Sequence, residues 1–87
     1  MELDVLKKDL KANLVKYLNL IGVEPDSITD DEPLFGGKLE LDSIDSLEII
    51  VMIEREYGLK INNPTEARKI LVNISTMAEF IKENTNN

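Results

Sequence analysis

Leu3, Leu6, Leu10, Leu14, Leu18 and Ile21 return at steps of three and four residues, so one face of a helix is continuously apolar. Lys7, Lys8, Lys11 and Lys16 fall largely between them. Such a stripe needs a second apolar surface to cover it, and only 87 residues are present to build one. That length allows a single core made of a few packed elements. The apolar share of 43% is that of a globular protein and too high for a disordered one.

The stripe predicts a first helix that stops near Gly22. From Val23 to Leu41 the periodicity dissolves: Pro25, Pro33 and Gly36-Gly37 punctuate a stretch dense in Asp and Glu. This reads as a long ordered loop, pinned by apolar anchors at Ile28, Leu34, Phe35 and Leu39. A second helix starts where Asp42 can accept hydrogen bonds from first-turn N–H groups, with Asp45 placed against the positive end of the helix dipole. It runs to Tyr57, and Gly58 fits the left-handed residue that ends a helix. Ile49, Ile50, Ile53 and Tyr57 follow its core face, which leaves Ile44, Leu47 and Val51 on a neighbouring, partly exposed face.

Pro64 suits the first turn of a short third helix over Thr65 to Ile70, because its missing N–H has no partner there in any case. Asn73 can cap a fourth helix in which Ile74, Met77, Ala78 and Ile81 form the inward stripe. Thr85-Asn86-Asn87 should fray. The fold class is therefore all-α: one domain over residues 1–87, with three long helices, one short helix and a long loop after helix 1.

With no Cys and no His, the chain lacks a thiolate nucleophile, a disulfide framework, the usual general base and the usual transition-metal ligand. It is not expected to be an enzyme, and no metal site is expected. The segment Asp26 to Gly37 has neither the sixth-position Gly nor the twelfth-position acid of a calcium-binding EF-hand loop. The start Met1-Glu2-Leu3-Asp4 is unlike a signal peptide, and no apolar run approaches the roughly 20 residues of a membrane span. A cytoplasmic monomer is expected.

The net charge of −7 sits in the middle of the chain: residues 21–42 carry seven acids against one Lys, and residues 43–57 carry four against one Arg. Phosphate repels such a surface, so nucleic acid is excluded as a partner and basic proteins are the natural counterpart. Glu24, Asp26, Asp30, Asp31 and Glu32 are open to two readings, a solvated surface or a recognition surface.

Within this acidic block, Asp42-Ser43-Ile44-Asp45-Ser46-Leu47-Glu48 places a serine at a helix start. The run from Asp42 to Glu54 resembles the Asp-Ser-Leu-Asp-x-Val-Glu attachment motif and recognition helix of acyl carrier proteins. Pro33-Leu34-Phe35-Gly36-Gly37 is similar to the loop of their stand-alone bacterial type, and the element order matches over almost the whole chain.

The resemblance implies an up-and-down helical bundle and a 4′-phosphopantetheine arm attached to Ser43, with Asp42 beside it. A phosphopantetheinyl transferase would load the arm from coenzyme A. The arm would carry acyl intermediates as thioesters to enzymes of fatty-acid, lipid or polyketide type. Ile44, Asp45, Leu47, Glu48, Val51 and Glu54 would form the surface that meets the basic clefts of those enzymes. Glu40, where many members have Gly, together with Arg55 and the segment Lys69 to Asn73, departs from the pattern and points to a specialised member.

The chemistry of the motif has its own logic. A chain without a thiol can hold an acyl thioester only if a cofactor brings the sulfur, and a phosphodiester at a helix N-terminus lies against unsatisfied N–H groups. Ser46, one turn further on, reads as a surface residue. The contrasting reading of the same residues is a non-modified acidic helical module that binds a basic partner through its acidic and aliphatic face.

Overall fold

A computed structural model describes residues 2–37, 39 and 41–85. Glu40, with its departure from the family pattern, and the expected fraying of Asn86 and Asn87 lie outside the described residues. The elements are α1 (Leu3–Leu18), a single 3-10 turn (Pro25–Ser27), α2 (Ser43–Tyr57), α3 (Pro64–Ile70) and α4 (Ile74–Asn84). Among the described residues the one β-type pairing is an isolated parallel bridge between Phe35 and Leu41. The chain is all-α, as its periodicity predicts.

Helix α1 packs against α2, α4 and the 3-10 turn, and α3 leans on α4. Leu6, Leu10 and Leu14 of α1 meet Ile49, Met52 and Ile53 of α2 and the Ile74, Met77 and Ile81 stripe of α4, all essentially without solvent exposure. Full burial of each such side chain contributes roughly 1.5–3 kcal/mol. On α2 the inward stripe is rotated from the expected one. Met52 is fully buried, whereas Ile50 and Tyr57 are only partly covered; Ile50 lines a groove with Ala67 and Leu71, and Tyr57 reaches polar groups of α1.

The first helix ends four residues before the expected stop. Asn19 adopts the left-handed conformation (φ 51°, ψ 51°), and its N–H donates to the Lys16 carbonyl while the Leu20 N–H donates to that of Val15. This paired closure satisfies the terminal carbonyls with Asn in the position Gly usually takes. The chain then reverses, and Ile21, expected on the apolar face, is 87% exposed. Gly58 does end α2, at φ 71°, as expected. Thr85 does not fray freely: its N–H and Oγ1 both donate to the Ile81 carbonyl.

The long loop is fastened to the bundle at several points. Ile28 and Leu34 are buried and Phe35 and Leu39 half-buried, in line with their role as anchors. The Leu34 N–H donates to the Val72 carbonyl at 2.9 Å. A Cβ on Gly37 would stand 2.6 Å from the Pro33 carbonyl oxygen, so the fold of the loop there requires glycine. Three of its acids act within the chain. Asp30 lies 2.7 Å from Lys11 Nζ and 3.4 Å from Lys7 Nζ, and the Lys11 ammonium holds its carboxyl below the ordinary 3.8. Asp31 accepts from Ser75 Oγ at 2.9 Å, and Glu32 from the Thr29 N–H at 2.7 Å.

A polar seam joins α1 and α2. Tyr57 donates its hydroxyl to Asp9 at 2.6 Å and accepts from Asn13 Nδ2 at 3.1 Å. Burial, reinforced by the bond to Asp9, pushes the Tyr57 phenol well above its ordinary value. Tyr17 donates to Glu56 at 2.7 Å on the exposed side of the same seam, and that bond raises its phenol as well.

Candidate functional site

The start of α2 is set by a reciprocal hydrogen-bond box. Asp42 Oδ1 accepts from the N–H groups of Ile44 (3.0 Å) and Asp45 (3.2 Å), while Asp45 Oδ2 accepts from the Asp42 N–H (2.9 Å). The box satisfies donors that a helix N-terminus otherwise leaves open. The expectation of several unsatisfied N–H groups is thereby narrowed to one: among the described residues only the Ser43 N–H lacks a hydrogen bond in this first turn.

Ser43 occupies the first helical position. Its side chain is exposed, and its Oγ makes no hydrogen bond among the described residues. Ser46 differs although it too follows an aspartate. Its Oγ donates to the Ser43 carbonyl at 2.6 Å and it is half-buried, so it is tied to the helix and is not the plain surface residue the sequence suggests. The Asp-Ser pair therefore does not separate the two serines; position relative to the cap does.

A groove of about 710 Å³ opens beside Ser43. Ser43, Ser46, Leu47 and Ile50 line it from α2. Ala67, Arg68 and Leu71 line it from α3 and the turn after it, and Ile61 and Phe35 add apolar surface. Its volume falls in the range of about 300–1,000 Å³ typical of small-molecule sites.

The remaining predicted site residues follow α2 outward. Ile44 is 71% and Leu47 62% exposed, and Val51 is at the edge of exposure. Glu48 and Glu54 are exposed, the latter 3.8 Å from Lys60 Nζ. Asp45 is half-buried and engaged in the box. Leu47 has a second role that the sequence did not reveal, as a wall of the groove. The α3 side of the groove was also missed; the i, i+4 pair Ala67 and Leu71 was the available signal. Among the described residues no cluster of His, Cys, Asp or Glu could hold a metal ion, and no helix is long and apolar enough to cross a membrane.

An exposed, unbonded hydroxyl at a first helical position, with one free N–H beside it and an apolar groove adjoining, suits a long phosphate-linked substituent. The residues present fit a phosphopantetheine arm. A family model described as the phosphopantetheine attachment site matches residues 14–81. Similar proteins include the acyl carrier proteins of Bradyrhizobium sp. (strain ORS 278), Nitrobacter hamburgensis (strain DSM 10229 / NCIMB 13809 / X14) and Rhodopseudomonas palustris (strain TIE-1). Each is 29% identical over 75 residues, which cover 86% of this chain and 87% of the relative.

Proposed function

Since the chain belongs to the phosphopantetheine-attachment family, we propose that it is an acyl carrier whose 4′-phosphopantetheine arm is attached at Ser43. The observation that carries the assignment to this serine is its unbonded, exposed Oγ at the first position of α2. When bound, the group supplies a thiol that holds an acyl chain as a thioester. The chain's own residues do the rest. Asp42 and Asp45 fix the start of the helix and hold Ser43 outward, and the Ser43 N–H is available to the phosphate. The groove between α2 and α3 offers apolar surface within reach of the attachment point.

The face formed by Ile44, Leu47, Glu48, Val51 and Glu54 meets the loading transferase and the enzymes that use the carried group. Exposed aliphatics flanked by acids suit brief docking on a basic surface, with electrostatic steering setting the encounter rate. The protein itself performs no catalysis.

The test is intact mass after incubation with a phosphopantetheinyl transferase, coenzyme A and Mg²⁺. The wild type, Ser46→Ala and Ser75→Ala should each gain one phosphopantetheine, and Ser43→Ala should gain none. Modification that persists in Ser43→Ala reassigns the site. An unmodified wild type returns the chain to the reading of a plain acidic interaction module.

A further inference from the structure

The groove beside Ser43 carries a cation in a chain whose net charge is −7. Among the described residues Arg68 is the only Lys or Arg that lines it, and its guanidinium makes no ion pair or hydrogen bond with any of them. Phe35, Leu47, Ile50 and Ile61 give the groove an apolar floor, and Asp42, an acid of its lining, stands beside Ser43 with Oδ1 engaged by the N–H groups of Ile44 and Asp45. Arg68 and Lys69 both lie in the last turn of α3, where positive charge complements the helix dipole. That complement would account for either residue equally. Only Arg68 lines the groove, so the dipole does not explain where its side chain stands.

An alkyl chain laid along this floor offers the exposed guanidinium no anion. A chain that ends in a carboxylate meets the same floor with its methylenes and offers the guanidinium a planar anion, which its forked donors match. We propose that Arg68 is a specificity-determining residue, and that the groove favours a carried acyl group ending in a carboxylate over the alkyl chain of equal length. The inference rests on the carrier reading of Ser43 and deepens it by naming the class of cargo.

The test uses the phosphopantetheine-bearing protein loaded with either adipyl or hexanoyl thioester, six-carbon chains that differ only at the far end. The rate of thioester hydrolysis is measured against the same two thioesters of free pantetheine, and the Arg68 Nε resonance is followed by NMR. The wild type should protect adipyl more than hexanoyl by about two- to fivefold, the range expected of an exposed ion pair, and salt should reduce the ratio. The ratio should fall to one in Arg68→Gln and persist in Lys69→Gln, which removes the same charge from the same helix turn. The Nε resonance should move on adipyl loading and not on hexanoyl loading.

Equal protection of the two chains in the wild type, or a ratio that survives Arg68→Gln, overturns the proposal. So does an Nε shift already complete with the bare arm and unchanged by adipyl, which would assign Arg68 to the arm's phosphodiester. Absence of any mass gain on loading overturns the carrier reading itself, and is thereby distinct from a loaded protein that shows no dependence on Arg68.

Discussion

The starts of α2 and α4 are built by the same device and have opposite surroundings. At α2, Asp42 and Asp45 exchange hydrogen bonds; at α4, Asn73 accepts from the Thr76 N–H at 2.8 Å while Thr76 Oγ1 accepts from the Asn73 N–H at 3.2 Å. Each start carries a serine in its first turn. Around α4 the long loop closes in: Ile74 is fully buried, the Ser75 N–H donates to the Asp30 carbonyl, and Ser75 Oγ donates to Asp31. At the α2 start no described residue of that loop hydrogen-bonds to the first turn: Ile44 stands 71% exposed and the Ser43 hydroxyl is unbonded among the described residues. The box decides where a helix begins. The neighbouring chain decides whether that beginning is part of the core or is left available for chemistry.

The largest effect that separates the two starts is in packing. Ile74→Ala should lower stability by about 2–5 kcal/mol through loss of buried contact and the cavity left behind, whereas Ile44→Ala should stay within about 0.5 kcal/mol. Urea melts of both variants measure this, and similar losses would mean that the α2 start is covered in solution.

The caps themselves should be equivalent. Asp42→Ala and Asn73→Ala should each cost about 1 kcal/mol, read by the same melts. They should part in a second measurement: the rate of phosphopantetheine loading falls with Asp42→Ala and is unchanged with Asn73→Ala.

A smaller effect concerns the loop that closes the α4 start. Asp30 has a carboxyl held below 3.8 by Lys11, so its contribution to stability is complete above that unfolded value and is lost as pH falls through the lower folded one. Asp30→Asn should therefore melt below the wild type at pH 7, by on the order of 0.5 kcal/mol for a pair whose carboxylate stays open to solvent screening. The gap should narrow as pH drops below 3.8. A gap that is constant with pH would assign the loss to something other than this charge.

The smallest change in stability belongs to the open side. Glu48→Lys with Glu54→Lys should shift it by no more than about 0.5 kcal/mol per site while slowing transfer to a cognate enzyme at low salt, with the deficit narrowing as salt rises. Equal transfer rates at low salt would show that this face of α2 does not steer partners.

Both helix starts were legible in the sequence, because a cap is a local arrangement of a few residues: Asp42 and Asn73 announce themselves. So were the stripe of α4 and the anchors Ile28 and Leu34. What was lost depended on direction and on distant neighbours. Ile21 keeps the three-residue step from Leu18, yet Asn19 turns the chain before it, and periodicity records spacing without recording a reversal. Met52 lies within an aliphatic run in which any of several stripes could face inward, and only the approach of α1 and α4 chooses among them. The acids of the loop could not be sorted until Lys11 and Ser75 arrived from 19 and 44 positions away to meet Asp30 and Asp31. The groove is absent from the sequence for the same reason: its two walls are separate segments that become neighbours only in the folded chain.

The packing of α1 on α4 has a consequence for biosynthesis. Helix α1 leaves the ribosome well before α4 and finds one of its main apolar partners only when α4 has emerged. Translation proceeds at roughly 5–20 residues per second, so α1 remains uncovered on that side for seconds, whereas a small helical domain completes its fold in microseconds to milliseconds. Folding is thus gated by the emergence of α4. The start of α2, emerging midway, acquires its rigid surroundings only then, so any enzyme that recognises the folded surface around Ser43 must act after translation has passed α4.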